Sequence, residues 1–90
     1  MSDGVRWTGN IKALFERLMA NTPEIYRDVA RKATRAKAEE NAKERGSELV
    51  EVEDIARACL SEAPGVFKAQ IINDLKREGI DAEKYLRGKT

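Results

Sequence analysis

The chain has 90 residues, 37% of them charged and 6% aromatic, with 17 basic against 16 acidic side chains. Such a length supports one domain with a thin core of Leu, Ile, Val and Ala, and the near-neutral balance carries no global signature of nucleic-acid or anionic-membrane binding. One cysteine and no histidine exclude an internal disulfide and any ordinary zinc, haem or iron–sulfur ligand set within the chain; the short apolar runs offer neither a membrane span nor a signal-peptide core.

The expectation is a single cytoplasmic domain, residues 1–90, with loose tails at 1–6 and 87–90, no cofactor and no metal. Trp7 precedes Thr8, an N-cap candidate for a first helix reaching about Ala20. Ile11, Leu14, Phe15 and Leu18 then share one apolar face, and Trp7 is placed to staple the first turn. The alternative use of Trp7 is stacking on a base or a tetrapyrrole ring.

The second helix is the long one, from Pro23 to about Arg45. Its apolar residues Ile25, Tyr26, Val29, Ala30, Ala33, Ala36, Ala38 and Ala42 recur with helical spacing, which predicts an inward flank. Asn21 or Thr22 suits the N-cap and Pro23 the first helical position, while Gly46 suits a left-handed ending. Ser47 to Val52 reads as an extended connection. A third helix from about Glu51 to Glu62 should turn Val52, Ile55, Ala56, Cys59 and Leu60 inward, with Glu51, Glu53 and Asp54 at its positive end. Ala63-Pro64-Gly65 breaks it. A fourth helix from about Val66 to Glu78 should bury Phe67, Ile71, Ile72 and Leu75, end at Gly79 with Ile80 folded back, and lead through Asp81 into a last short turn containing Tyr85 and Leu86. No segment reads as a paired strand. The fold class is all-α: four main helices around one long central helix.

Charge is unevenly distributed along that helix. Between Glu24 and Lys37, Arg27, Arg31, Lys32, Arg35 and Lys37 face two acids, a balance of +3. From Ala38 to Asp54 seven acids face Lys43 and Arg45, a balance of −5. Arg27, Arg31, Arg35 and Glu39 recur every fourth residue and so form one stripe. Two readings follow: a solvated face with pairs such as Asp28–Lys32 and Glu39–Lys43, or a docking surface for an acidic partner, a phosphate or another copy of the chain. Cys59 has no obvious activator and reads as a core thiol. Gly88-Lys89-Thr90 imitates the end of a phosphate loop, but Glu83 stands where its first glycine belongs. Without histidine no serine has a base, so no catalytic set is expected.

The run from Thr22 to Leu60, with Trp7 upstream, resembles the small C-terminal domain of light-independent (dark-operative) protochlorophyllide reductase, a domain that also occurs as a free-standing protein. Trp7, Pro23 and Arg27 match the front of its pattern; Arg31, Arg35, Glu39, Ala42 and Gly46, followed by Val50-Glu51-Val52-Glu53, match the rear. The two matches are offset by about one helical turn, and Glu51 replaces the usual threonine cap. The resemblance implies a helical accessory module; the +3/−5 charge split and the lack of a catalytic set add the expectation that it docks on a protein partner or on a second copy as a homodimer through the long helix, with Trp7, Arg27, Arg31, Arg35 and Glu39 as interaction residues. It also implies the alternative of a component of a tetrapyrrole-reducing oxidoreductase that contacts substrate or the other proteins of the complex. The parent's clusters lie in other domains, so no catalysis is expected of this chain. The long helix, Gly-closed turn, extended connection and Val-Glu-Asp-Ile-Ala-Arg-Ala run also look like the centre of a histone fold, which implies pairing through the long helix and binding to DNA. Near-neutral charge argues against the DNA.

Overall fold

The computed structural model describes residues 5–87, and every regular element within them is helical. Helix α1 spans Gly9–Ala20, α2 Glu24–Glu44, α3 Val52–Glu62, α4 Lys68–Arg77 and α5 Ala82–Arg87, with a single 3-10 turn at Gly65–Phe67 ahead of α4. The all-α expectation holds, and α2 is one uninterrupted rod of 21 residues. At about 1.5 Å per residue it runs roughly 32 Å, nearly the long dimension of a molecule measuring 34 × 31 × 21 Å.

Both glycine-closed ends form as expected, because each needs only local geometry. Gly46 has φ 76° and Gly79 φ 80°, a region where other residues are strained. Around Gly79 the Gly79 N–H donates to the Lys76 carbonyl and the Ile80 N–H to that of Leu75, both at 2.9 Å. Ile80 is thereby tucked into the core, as a Schellman ending requires. Gly46 and Ser47 repeat the pattern on Lys43 and Ala42.

The core gathers Leu14, Phe15, Leu18 and Met19 of α1, Ala38 and Ala42 of α2, Val50, and Ile55, Ala56, Ala58, Cys59 and Leu60 of α3, with Leu75, Ile80 and Ala82 completing it. Helix α3 touches α2, α4 and α5, so it shares the central position with the long helix. The fully buried residues of α2 are Thr34, Ala38, Asn41 and Ala42, and from the first half of that helix Ala30 packs against the core half-buried.

Several local expectations need correction. The inward flank predicted along α2 holds for Ala30, Ala38 and Ala42, which are buried or packed on the core, but not for Ile25 and Val29, which are 81% and 69% exposed, nor for exposed Ala36. Pro23 is the N-cap residue rather than the first helical one, and neither Asn21 nor Thr22 caps. Val52 lies half in solvent because Val50, just before the helix, is the buried anchor. The fourth helix begins at Lys68, since the chain leaving Pro64 first makes the 3-10 turn, and this leaves Val66 outside. Tail residue Arg6 is paired: its N–H donates to the Glu48 carbonyl at 2.7 Å and its carbonyl accepts the Val50 N–H at 3.0 Å, a parallel bridge to Leu49. Of the other residues expected in the tails, Val5 packs against the core and Arg87 closes α5, while 1–4 and 88–90, with the phosphate-loop imitation, lie outside the described residues.

Candidate functional site: two faces of the long helix

The five residues expected to form an interaction stripe converge on one seam, between α2 and α1. Arg27 crosses to the end of α1, where its Nη2 donates to the carbonyls of Thr22 (3.1 Å) and Ala20 (3.4 Å). A cation there meets the negative end of the α1 dipole. Arg31, one turn on, forms a bidentate pair with Glu16, and its guanidinium carbon stands 5.8 Å from the Phe15 ring centre. Arg35 lies over the Trp7 ring at 5.7 Å. Trp7 donates its indole N–H to Glu39 at 2.7 Å and meets Phe15 edge-on at 5.2 Å. Its anchor is therefore two turns into α1 and across on α2, not the first turn that a staple would use. Helix α1 runs antiparallel to the first half of α2, and the stripe clasps it.

That seam leaves an open groove of about 550 Å³, floored by Trp7, Ala13 and Phe15 and walled by Lys12, Glu16, Arg31, Lys32 and Arg35. Four cations face one acid, and that acid is already bound by Arg31. Among the described residues no ion pair holds Lys12 or Lys32, and the expected Asp28–Lys32 pair does not form.

The opposite side of the same segment is apolar and bare. Ile25 and Val29 lie one turn apart on α2, and Ala36 continues their face. Val66, 84% exposed, belongs to the 3-10 turn whose Phe67 packs edge-on against Tyr26 at 5.5 Å. Three aliphatic side chains thus stand in solvent at one end of the molecule.

At the other end, Arg45 and Asp54 join α2 to α3. Arg45 Nε and Nη2 approach the two Asp54 oxygens at 2.9 and 2.5 Å, and Nε also reaches Glu53 at 2.8 Å. Asp54 is 1% exposed. Its Oδ2 accepts the Glu51 N–H, and its main-chain carbonyl accepts from Asn41 Nδ2 at 3.2 Å. These carboxylates hold the Arg45 guanidinium above its ordinary range, the Asp54 hydrogen bond acting most strongly. Sequence reading placed Asp54 only as one of three acids at the positive end of the third helix. Its real partner lies nine residues back, across the Gly46 turn, at a spacing that no helical or strand period connects.

Cys59 is core, as expected. Burial, with the neighbouring Asp74 charge adding to it, pushes its thiol up to about 12, so it stays protonated and unreactive. No group of three or more His, Cys, Asp or Glu among the described residues is placed to hold a metal ion. No helix among them is long and apolar enough to cross a membrane.

Over residues 3–87 the sequence matches the family described as Protein of unknown function (DUF2621). The chain belongs to this family. No curated protein and no solved structure shows a significant match. The match covers α1 through α5, so both faces of α2 fall inside the family's domain.

Proposed function

We propose that the chain is a non-catalytic docking module, and that the bare face of the first half of α2 receives an acidic amphipathic helix of a protein partner. The observation that carries this reading is the exposure of Ile25, Val29 and Val66 in a chain with few large apolar residues to spare. Isolated exposed aliphatics are ordinary, but a cluster on a helix face is a feature of interaction sites. Charge selects the partner. Arg27, Arg31 and Arg35 are turned to the α1 seam, and the cation beside the bare face is Lys32, one turn after Val29 and held by no ion pair among the described residues. Stacking two copies patch on patch would set two such ammonium groups side by side, whereas acidic residues beside the partner's apolar ones complement it.

The reductase-type resemblance concerns the same helix but its other side. Trp7, Arg31, Arg35 and Glu39, four residues that carry it, meet at the α1–α2 seam, where they brace the helix that presents the face. Their work within the seam moves the proposed contact from the arginine stripe to the face behind it.

The test is a binding titration with a synthetic helix that has leucines at i, i+3, i+4 and i+7 and glutamates between them. The native chain should bind it, the paired substitution I25S/V29S should abolish binding while helicity is retained, and the same peptide with lysine for glutamate should not bind. Equal binding by the two peptides, or by the two proteins, would contradict the reading. So would a native chain that dimerises through Ile25 and Val29.

A further inference from the structure

We infer that the groove between α1 and the first half of α2 is a binding site for a planar aromatic molecule carrying a carboxylate or phosphate. This goes beyond protein docking and uses the other face of the helix. The floor is apolar despite containing an indole: Trp7 spends its N–H on Glu39, and the two rings are locked edge to face. What it offers a ligand is carbon.

The walls differ in how far their charge is committed. Arg31 is neutralised by Glu16, and Arg35 is laid over Trp7 with Glu39 beside it, so these two are fixed in place and partly spent. Lys12 comes from α1 and Lys32 from α2, and no ion pair among the described residues holds either one. Two free ammonium groups from different helices border one apolar floor. A ligand anion there satisfies both and relieves the mutual repulsion of the walls.

The volume of about 550 Å³ lies within the range of small-molecule sites, roughly 300–1,000 Å³. Each part of the ligand is required by a different part of the groove. Inorganic phosphate would use the lysines and leave the floor bare; a neutral arene would cover the floor and leave the lysines unpaired. An arene with an acidic group uses both.

The experiment titrates the full chain with 2-naphthyl phosphate, 2-naphthoate and uncharged 2-naphthol, following the indole N–H of Trp7, the only tryptophan, by two-dimensional NMR. Both anions should shift that resonance and bind at least about tenfold more tightly than 2-naphthol. The tighter of the two identifies the head group. K12A/K32A should bring both anions down to the level of 2-naphthol with the circular dichroism unchanged. K76A/K84A, a pair of exposed lysines outside the groove, should leave binding as it was, and so should I25S/V29S. The inference is overturned if 2-naphthol binds as tightly as the anions, if the indole resonance stays still, or if the control lysine pair weakens binding as much as K12A/K32A does. Because I25S/V29S separates the two faces, loss of one activity does not imply loss of the other.

Discussion

Asp74 of α4 is nearly out of solvent, and its Oδ2 has no hydrogen-bond partner. Burial raises its pKa, and Arg77, 3.9 Å from the other oxygen, and Gln70 oppose that only in part. A carboxyl whose folded pKa is raised binds its proton more tightly in the folded state than in the unfolded chain, so its charge costs stability at pH values above the folded pKa. That cost disappears as pH falls to the ordinary carboxylate range. Asp74→Asn should therefore raise Tm at pH 7, with the gap to the native chain closing towards pH 4. A gain that persisted at pH 4, or a loss at pH 7, would refute the assignment. Glu78 behaves oppositely: hydrogen bonding to Arg17 lowers its pKa, so its contribution is present at neutral pH and lost in acid. Comparing the two proteins at each pH cancels that term.

Among the elements, α2 shows what a sequence can and cannot disclose. Its length, its Gly46 ending and the repeat at Gly79 were legible because helical period and a left-handed glycine are local properties. Which part of its apolar face would be covered was not. Periodicity identifies a face but does not say whether another helix lies on it. Ile25 and Val29 have the same i,i+4 spacing as Ala38 and Ala42, yet at about 100° per residue the two pairs stand on opposite sides of the rod, and only the alanines meet another helix. The arginine stripe was legible as a stripe, but its direction depends on where α1 returns, and Arg27 to Arg35 end up leaning on α1 and Trp7, with Arg31 and Arg35 still partly in solvent. The Arg45–Asp54 clamp was illegible for the same kind of reason: it closes across two helices.

The clamp predicts an asymmetry between its two halves. Removing Arg45 strands a carboxylate that is 1% exposed, whereas removing Asp54 leaves a guanidinium that is 28% exposed and can still reach Glu53. Breaking a buried pair costs about 3–5 kcal/mol, and the partial exposure of Arg45 puts this one near the lower end. Arg45→Ala should lose about 3 kcal/mol in urea unfolding and Asp54→Ala clearly less. Equal losses would show that the buried carboxylate is not what makes the pair costly to break.

For the molecule as a whole, cover is unequal along one rod. Helix α3 anchors the second half of α2 in the core, and α1 clasps one side of the first half, which leaves its outer side free. A net charge of +1 conceals a cationic segment and an acidic one, so composition alone understates how selective the surface is. The central claim is that the uncovered stretch is where a partner sits. Methyl NMR during titration with the glutamate–leucine helix tests it most directly. Shifts concentrated in the Ile25 and Val29 methyls, with those of buried Ile55 and Ile80 unmoved, are the predicted result; methyls of Ile25 and Val29 that stay still while the peptide binds would contradict it.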